Sequence, residues 1–269
     1  MVAAQHSVRS DISWSTEEQI TVHGFDLPGE LIGSVGFGEM AFLELTGRLP
    51  DANQSRVFNA MLVALVEHGM TPSVLAARLT LLGAPEALQS AVGAGLAGLG
   101  TVFVGTIEGS AKLLQDALPD RAARTEADLD AIARQLVADH RARGKTIPGL
   151  GHPLHRNGDP RSARLFEVAH ESGLSGQYVD LMQRIGHSAE QSYGRRLPVN
   201  ATGAIGALAS ELGLPWNITR GLGVMARAVG LVGHLLEEMR SPIAAAIWHQ
   251  AEHDVLDQHR ESMDHGAAR

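Results

Sequence analysis

The sequence predicts a mostly α-helical protein. Apolar residues recur at helical spacing along most of the chain, and glycine and proline punctuate it where helices should stop and start. Only one stretch near the beginning, residues 19–25 (QITVHGF), has a convincing strand pattern. The chain has 269 residues, which fits one large domain or a large and a small one. Hydrophobic residues make up 44%, enough for a real core. Aromatics are only 4% while alanine, glycine and leucine dominate, a mixture suited to helices packed closely through small side chains.

After the strand, residues 52–68 carry Val57, Met61, Leu62 and Leu65 on one helical face, between Pro50 and Gly69. A short helix over 73–82 stops at Gly83. Residues 84–99 are helical in pattern but rich in glycine. Glycine inside a helix costs stability, so close approach of a neighbour should be the reason. Thr125 with Asp128 makes a capping-box-like start for a helix that runs to about Arg143 and ends at Gly144. Asp159 reads as an N-cap and Pro160 as the first helical residue of the next, which ends at Gly173. Further helices are expected over 176–193, 202–212 and 218–239. The tail after His253 is polar and expected to fray.

Several function classes are excluded. Without cysteine there is neither a disulfide framework nor a thiolate zinc site. A net charge of −8 opposes general binding to a phosphate backbone, so no nucleic-acid partner is expected. Residues 1–10 lack the apolar core of a signal peptide. The least polar stretch, 84–105, is interrupted by Glu86, Gln89, Ser90 and many glycines and makes a poor membrane span. A cytoplasmic protein is expected. The pair His249 and His253 has i,i+4 spacing but no third ligand, so no metal site is expected.

The segment IPGLGHPLHRNGDPR, residues 147–161, holds three glycines, three prolines, two histidines and two arginines between a glycine-stopped and a proline-started helix. Amides near Pro148 to Gly151 are expected to be free of secondary structure and able to meet a ligand. Arg161 lies in the first turn of the next helix, against the dipole. An anion there would gain from both the arginine and the amides. On spacing alone, pairing of Arg161 with Asp159 or another carboxylate is the stronger reading. His68 closes a helix and reads either as a plain cap or as a side chain entering a cleft. Arg227, Gly230 and His234 share one helical face, where Gly230 leaves room beside Arg227 for a ligand, or Arg227 is simply buried. Arg240 sits at a helix end, where a solvated cap is the default reading.

Taken together these segments resemble the citrate synthase superfamily over nearly the whole chain. ITVHGFDLPGELIGSVGFGEMAFLELTGRLP is similar to the family's entry segment, EHGMTPSVLAARL to its helix-turn-helix, and GLGHPLHRNGDPR to its GxGHxxxxxxDPR loop. LPVNATGAIGALASELG resembles the NVDG segment and ARAVGLVGHLLEE the xRxxGxxxH helix. The resemblance implies a mostly α, citrate synthase-like fold. Its large domain would comprise residues 1–107 and 213–269 and its small domain residues 108–212. A homodimer with the glycine-rich helix 84–99 at the two-fold is implied too.

The resemblance also implies site roles. His68 would bind the keto-acid or citryl portion, and His152 would contact the substrate carbonyl or hydroxyl. Arg161 and Arg227 would clamp carboxylates, for which guanidinium geometry is suited, and Arg240 would reach across the dimer. Ile147, Pro148, Gly149, Leu150 and Gly151, with Arg156, would cradle coenzyme A, which enters as a thioester substrate and not as a tightly bound cofactor. Two departures stand out. Phe103 replaces the histidine of the synthases' HGG, as in the citryl-CoA lyase branch, and Thr202 replaces the aspartate of NVD, the family's base. Glu67 and Glu108 are the substitutes that can be named. The implied activity is cleavage of a citryl-CoA-type thioester to oxaloacetate and acetyl-CoA, or the reverse condensation. The alternatives are a non-catalytic or redirected paralogue that binds acyl-CoA or a di- or tricarboxylate, and plain citrate synthase activity.

Overall fold

The computed structural model describes residues 9–120, 122–151 and 157–267, with side chains described to Arg260 and at Met263. The fold is mostly α. It forms two compact units, one of residues 1–64 with 106–219, the other of residues 65–105 with 220–269.

The first unit opens on a small antiparallel sheet, β1 (Ser13–Ser15), β2 (Ile20–Val22) and β3 (Phe25–Asp26). His23 and Gly24, both at positive φ, form the two-residue turn that pairs Val22 with Phe25. Val22 packs with Leu31 and Leu43 beneath the sheet. The helix α1 (Phe37–Thr46) crosses α2 (Ala52–Val66) at Gly38, where a side chain would collide with Asn59. Phe42 and Phe58 meet edge to face with ring centroids 5.2 Å apart.

Five helices complete this unit: α5 (Gly105–Ala117, from Thr106 on), α6 (Glu126–Ala142), α7 (Pro160–Glu171), α8 (Gln177–Tyr193) and α9 (Ala201–Glu211). Nearly every residue of α9 is buried, with only Thr202 and Glu211 partly open. That follows from its composition, ATGAIGALASE, whose small side chains let α5, α7 and α8 approach on different sides. At Gly206 an added Cβ would stand 2.9 Å from the backbone nitrogen of Ala111 on α5.

The second unit is four helices: α3 (Pro72–Gly83), α4 (Leu88–Ala97), α10 (Arg220–Arg240) and α11 (Ala244–Ala267). Val74, Ala77 and Leu81 of α3, Ala91 of α4, and Leu231 and Leu235 of α10 form its core. Gly95 gives the reason for glycine in α4: its missing side chain is replaced by Leu231 and the Ser73 carbonyl of the same chain.

Three expectations change. The helices α1 and α5 were not visible in the apolar pattern, and the tail after His253 continues as helix to Ala267. The N-terminal segment groups differently from the expected large domain: residues 1–64 cluster with 106–219 and not with the C-terminal helices. The physical tie is α2, whose Arg56 pairs with Glu171 and reaches Ser172 Oγ at 3.4 Å, at the end of α7.

Candidate active site

The residues singled out from sequence lie on both units, and each unit holds its own constellation. His152 and Arg156 lie outside the described residues.

In the first unit the segment 147–151 is held by the strand-like run before α9. Leu150 bridges Val199, Gly151 N–H donates to Pro198 O at 2.8 Å, and Asn200 N–H donates to Gly149 O at 2.9 Å. Asn200 Nδ2 donates to Gly151 O at 2.6 Å. The Leu150 amide closes a turn onto Ile147 O at 3.3 Å. The expectation of free amides along this loop is therefore corrected: those of Leu150 and Gly151 are engaged with the chain. Gly149, at φ 85°, packs backbone to backbone on Gly203. An added Cβ would lie 2.6 Å from the Gly203 Cα, so glycine is required at both positions. Pro148 packs on Gly109. Ile147, Leu150 and Gly151 instead line a cavity of about 660 Å³, within the range that ordinary ligand pockets occupy. Arg141, Lys145, Arg195 and Arg196 also line it and give it a cationic wall. Arg141 is fixed, donating to Ser192 Oγ at 3.0 Å and lying over the Tyr193 ring.

Asp159 organises the next part. It is the N-cap of α7, its carboxylate is fully buried, and it accepts four hydrogen bonds. Arg161 gives three, from its backbone N–H at 3.1 Å, Nε at 3.0 Å and Nη2 at 2.9 Å. The fourth comes from Ala201 N–H at 3.0 Å, in the first turn of α9. Burial alone would raise the Asp159 pKa, but the Arg161 guanidinium and the Ala201 amide outweigh it and hold the carboxyl below its ordinary value. Arg161 thus pairs with Asp159, the stronger of the two readings made from spacing. Its Nη1 points away from that fork, and the side chain is 27% exposed.

Thr202 lies half-buried in the first turn of α9. Its hydroxyl donates to Asn200 Oδ1 at 2.6 Å, and the same oxygen caps the helix by accepting Gly203 N–H at 3.1 Å.

In the second unit, α2 stops at Val66, two residues before its expected end, so His68 stands beyond the helix and not in its last turn. Arg227 is buried on α10 and Arg240 is exposed at its end. Gly230 does not leave a space for ligand beside Arg227. The Val66 carbonyl and the Glu67 carboxylate occupy that place. Phe103 is exposed in the turn before α5.

Sequence reading missed the charged centre of this unit. Arg78, 1% exposed, donates to Glu238 Oε2 at 2.8 Å, pairs with Glu237 and lies 3.0 Å from His234 Nδ1. Glu238 also accepts the N–H groups of Ile243 and Ala244, both at 2.9 Å, at the start of α11. Burial pushes its pKa up, and the Ala244 amide, Arg78 and the Ile243 amide together bring it below the ordinary range. The available signal was a lone arginine within the apolar run VLAARLTLL. Likewise GRRLP, with its paired arginines before α9, signalled the cationic cavity wall. Among the described residues no group of acidic or histidine side chains could hold a metal ion, and no helix is long and apolar enough to cross a membrane.

The comparisons agree with this architecture. The chain superposes on citryl-CoA lyase from Hydrogenobacter thermophilus with a TM-score of 0.79 and 28% identity, over 87% of this chain and 88% of that one. ATP citrate lyase from Methanothrix soehngenii, solved with citrate and coenzyme A, shares the fold at a TM-score of 0.71 and 22% identity, over 87% of this chain and 39% of that one. ATP-citrate synthase subunit 1 of Sordaria macrospora is 26% identical over 250 residues, 86% of this chain and 35% of the relative. The chain spans about a third of the length of the first curated relatives it matches. The family profile of the citrate synthase C-terminal domain matches residues 34–249, and the chain belongs to the citrate synthase family.

Proposed function

We propose that the chain is a carbon–carbon lyase acting on a citryl-CoA-type thioester, releasing oxaloacetate and acetyl-CoA or running the reverse condensation. The observation that carries this is the cationic cavity beside residues 147–151, which shares its supporting strand with the N-terminus of α9. Arg141, Lys145, Arg195 and Arg196 suit the phosphates of coenzyme A, and Ile147, Leu150 and Gly151 suit its adenine end. Nη1 of Arg161, presented by Asp159, binds one substrate carboxylate, and Arg227 another. His68 binds the keto-acid portion, and His152 is assigned the carbonyl or hydroxyl oxygen by motif. Arg240 is assigned to the partner subunit's site.

In the cleaving direction a base takes the proton of the tertiary hydroxyl. The bond between the hydroxyl-bearing carbon and the thioester methylene breaks, leaving oxaloacetate and the acetyl-CoA enolate, which then takes up a proton. Stabilising that enolate supplies much of the catalysis. Thr202 cannot be the base, because it carries no carboxylate. Its hydroxyl proton is directed to Asn200, so its lone pairs are available to accept from a substrate hydroxyl and orient it. Glu67 and Glu108 are the carboxylates proposed for proton transfer.

The missing carboxylate at Thr202 favours a second reading, a paralogue that binds acyl-CoA and a di- or tricarboxylate without turnover. Purified protein mixed with citryl-CoA, with oxaloacetate followed by coupled NADH oxidation, separates the two. Cleavage supports the lyase. Binding without cleavage, with cleavage restored in Thr202→Asp, supports the binder and locates the missing group. A general base is worth about 10²–10⁴-fold.

We further propose a cytoplasmic homodimer. Val229, Val232, Leu236 and Met239 form an exposed stripe along α10, and Trp248, Val255 and Leu256 are exposed on α11, more apolar surface than a solvated pair of helices needs. Light scattering at micromolar concentration tests it, and a monomer would refute it.

A further inference from the structure

His234 joins the buried charge centre of the second unit to the backbone that leads into His68. Its Nδ1 lies 3.0 Å from Arg78 Nη2 and its Nε2 lies 3.0 Å from Glu67 Oε2. A guanidinium has only donors, so Nδ1 must accept, the ring proton sits on Nε2, and Nε2 donates to Glu67. The tautomer is thus dictated by the partners, as is usual for a histidine that orients another group. The inner end of this chain is rigid: Arg78 is 1% exposed and clamped on Glu238, which is itself tied to the start of α11. The outer end, Glu67, has already left α2 and directly precedes His68.

Gly230, one turn earlier on α10, contributes the other half of the grip. A Cβ there would lie 2.5 Å from Glu67 Oε1 and would collide with the Val66 carbonyl. So α10 holds residues 66–67 at two points one turn apart, by close backbone approach at Gly230 and by a hydrogen bond at His234. Arg227 is on the same face, one turn before Gly230.

We propose that His234 is a positioning residue: by donating to Glu67 it fixes the segment that carries His68 on the helix that carries Arg227. The proposal rests on the functional reading above, in which His68 and Arg227 both hold substrate. Misplacement of a positioned group by about 1 Å can cost on the order of 10²-fold in rate.

Two substitutions separate the two ring nitrogens. His234→Gln places an amide N–H where Nε2 reaches Glu67. His234→Asn keeps an acceptor near Nδ1 for Arg78 but stops short of Glu67. Two measurements are made on each: kcat and KM for citryl-CoA cleavage, and the ring signals of His68 in protein labelled with ¹⁵N-histidine. His234→Asn should lower kcat about 10–100-fold and move the His68 signals, while His234→Gln stays within about threefold of wild type with the His68 signals in place. Thermal midpoints should not follow the same ranking. Equal behaviour of the two variants in both measurements would overturn the proposal and leave His234 a packing residue. If wild-type protein cleaves no citryl-CoA, the functional reading falls, and the His68 signals still decide whether His234 positions that residue.

Discussion

The two units each contain an arginine–carboxylate centre, and the two are built inside out relative to one another. In the first, the carboxylate of Asp159 is fully buried and Arg161 is 27% exposed. In the second, Arg78 is 1% exposed, Glu238 is 5% exposed and Glu237 is 62% exposed. Desolvating a charge is costly unless partners offset it, so the most deeply buried member is the one held by several partners. Asp159 and Arg78 are those members. What lies outward differs as a result: at Asp159 it is one edge of a guanidinium, able to meet an anion, and at Arg78 it is a set of acceptors and a histidine that tie helices together. One centre presents a cation, and the other secures a scaffold.

The largest test of this contrast is Arg78→Met. It keeps the volume but removes the charge partner of the buried Glu238 carboxylate, leaving it only the Ile243 and Ala244 amides. Unfolding free energy should therefore fall by about 3–5 kcal/mol by denaturant titration, as for other broken buried pairs. A change below about 1 kcal/mol would mean that the buried pair contributes little net stability, and the scaffold role would fail. Arg161→Ala should behave differently. Asp159 keeps the Ala201 amide, and the main loss is in ligand binding: the dissociation constant for a tricarboxylate should weaken by about 1.5–3 kcal/mol, read by calorimetry. An unchanged constant would remove Arg161 from the proposed clamp.

This contrast also marks what a sequence can disclose. Asp159 and Pro160 were recognisable as an N-cap and first helical residue, and Thr125 with Asp128 as a capping box, because those bonds close within three residues. The Arg161–Asp159 pair is equally local. The Arg78–Glu238 pair spans 160 positions and leaves no local trace beyond an arginine among leucines. The end of α2 was misread for the same reason: its last turn is decided by Gly230 and His234, far along the chain. Residues 147–151 were readable as a loop from their glycines and prolines. Their amides were misread as free because that of Gly151 donates to the Pro198 carbonyl, far along the chain, and that of Leu150 turns back onto Ile147 O in a way the loop's composition does not signal. The absence of a carboxylate at Thr202 was plain from the motif, whereas its hydrogen bond to Asn200 needed coordinates.

Acid should expose both centres together. Asp159 and Glu238 are each held below the ordinary carboxylate range: burial raises them, and their amide and guanidinium partners more than offset it. A carboxyl whose folded pKa is depressed stabilises the native state above its unfolded value, and that contribution is lost as pH falls through the folded value. Stability should therefore be level near neutral pH and fall as pH drops below about 4. Glu238→Gln, which keeps the amide contacts without the charge, should flatten part of that fall. An identical pH slope in that variant would show that Glu238 is not a source of it.

The smallest expected effect carries the same rule from charges to backbone, in two glycines of α4. Gly95 is buried, and a Cβ there would meet Leu231 and the Ser73 carbonyl, at 2.7 and 2.8 Å. Gly93, two residues away and so near the opposite side of the helix, is exposed with no atom within 4 Å of an added Cβ. Overpacking at Gly95→Ala should cost about 1–3 kcal/mol. Gly93→Ala should instead raise stability by about 0.5–1 kcal/mol, since alanine is the better helix former and nothing opposes it. Thermal unfolding of the two variants checks the sign. Dimer dissociation by light scattering across a dilution series checks the rest. If the glycine-rich face of α4 formed the two-fold contact, as the family resemblance implied, Gly93→Ala would weaken association even while stabilising the helix. If the exposed stripe on α10 forms it, association should be indifferent to Gly93 and sensitive to Val232→Asp, a charge set in the middle of that stripe.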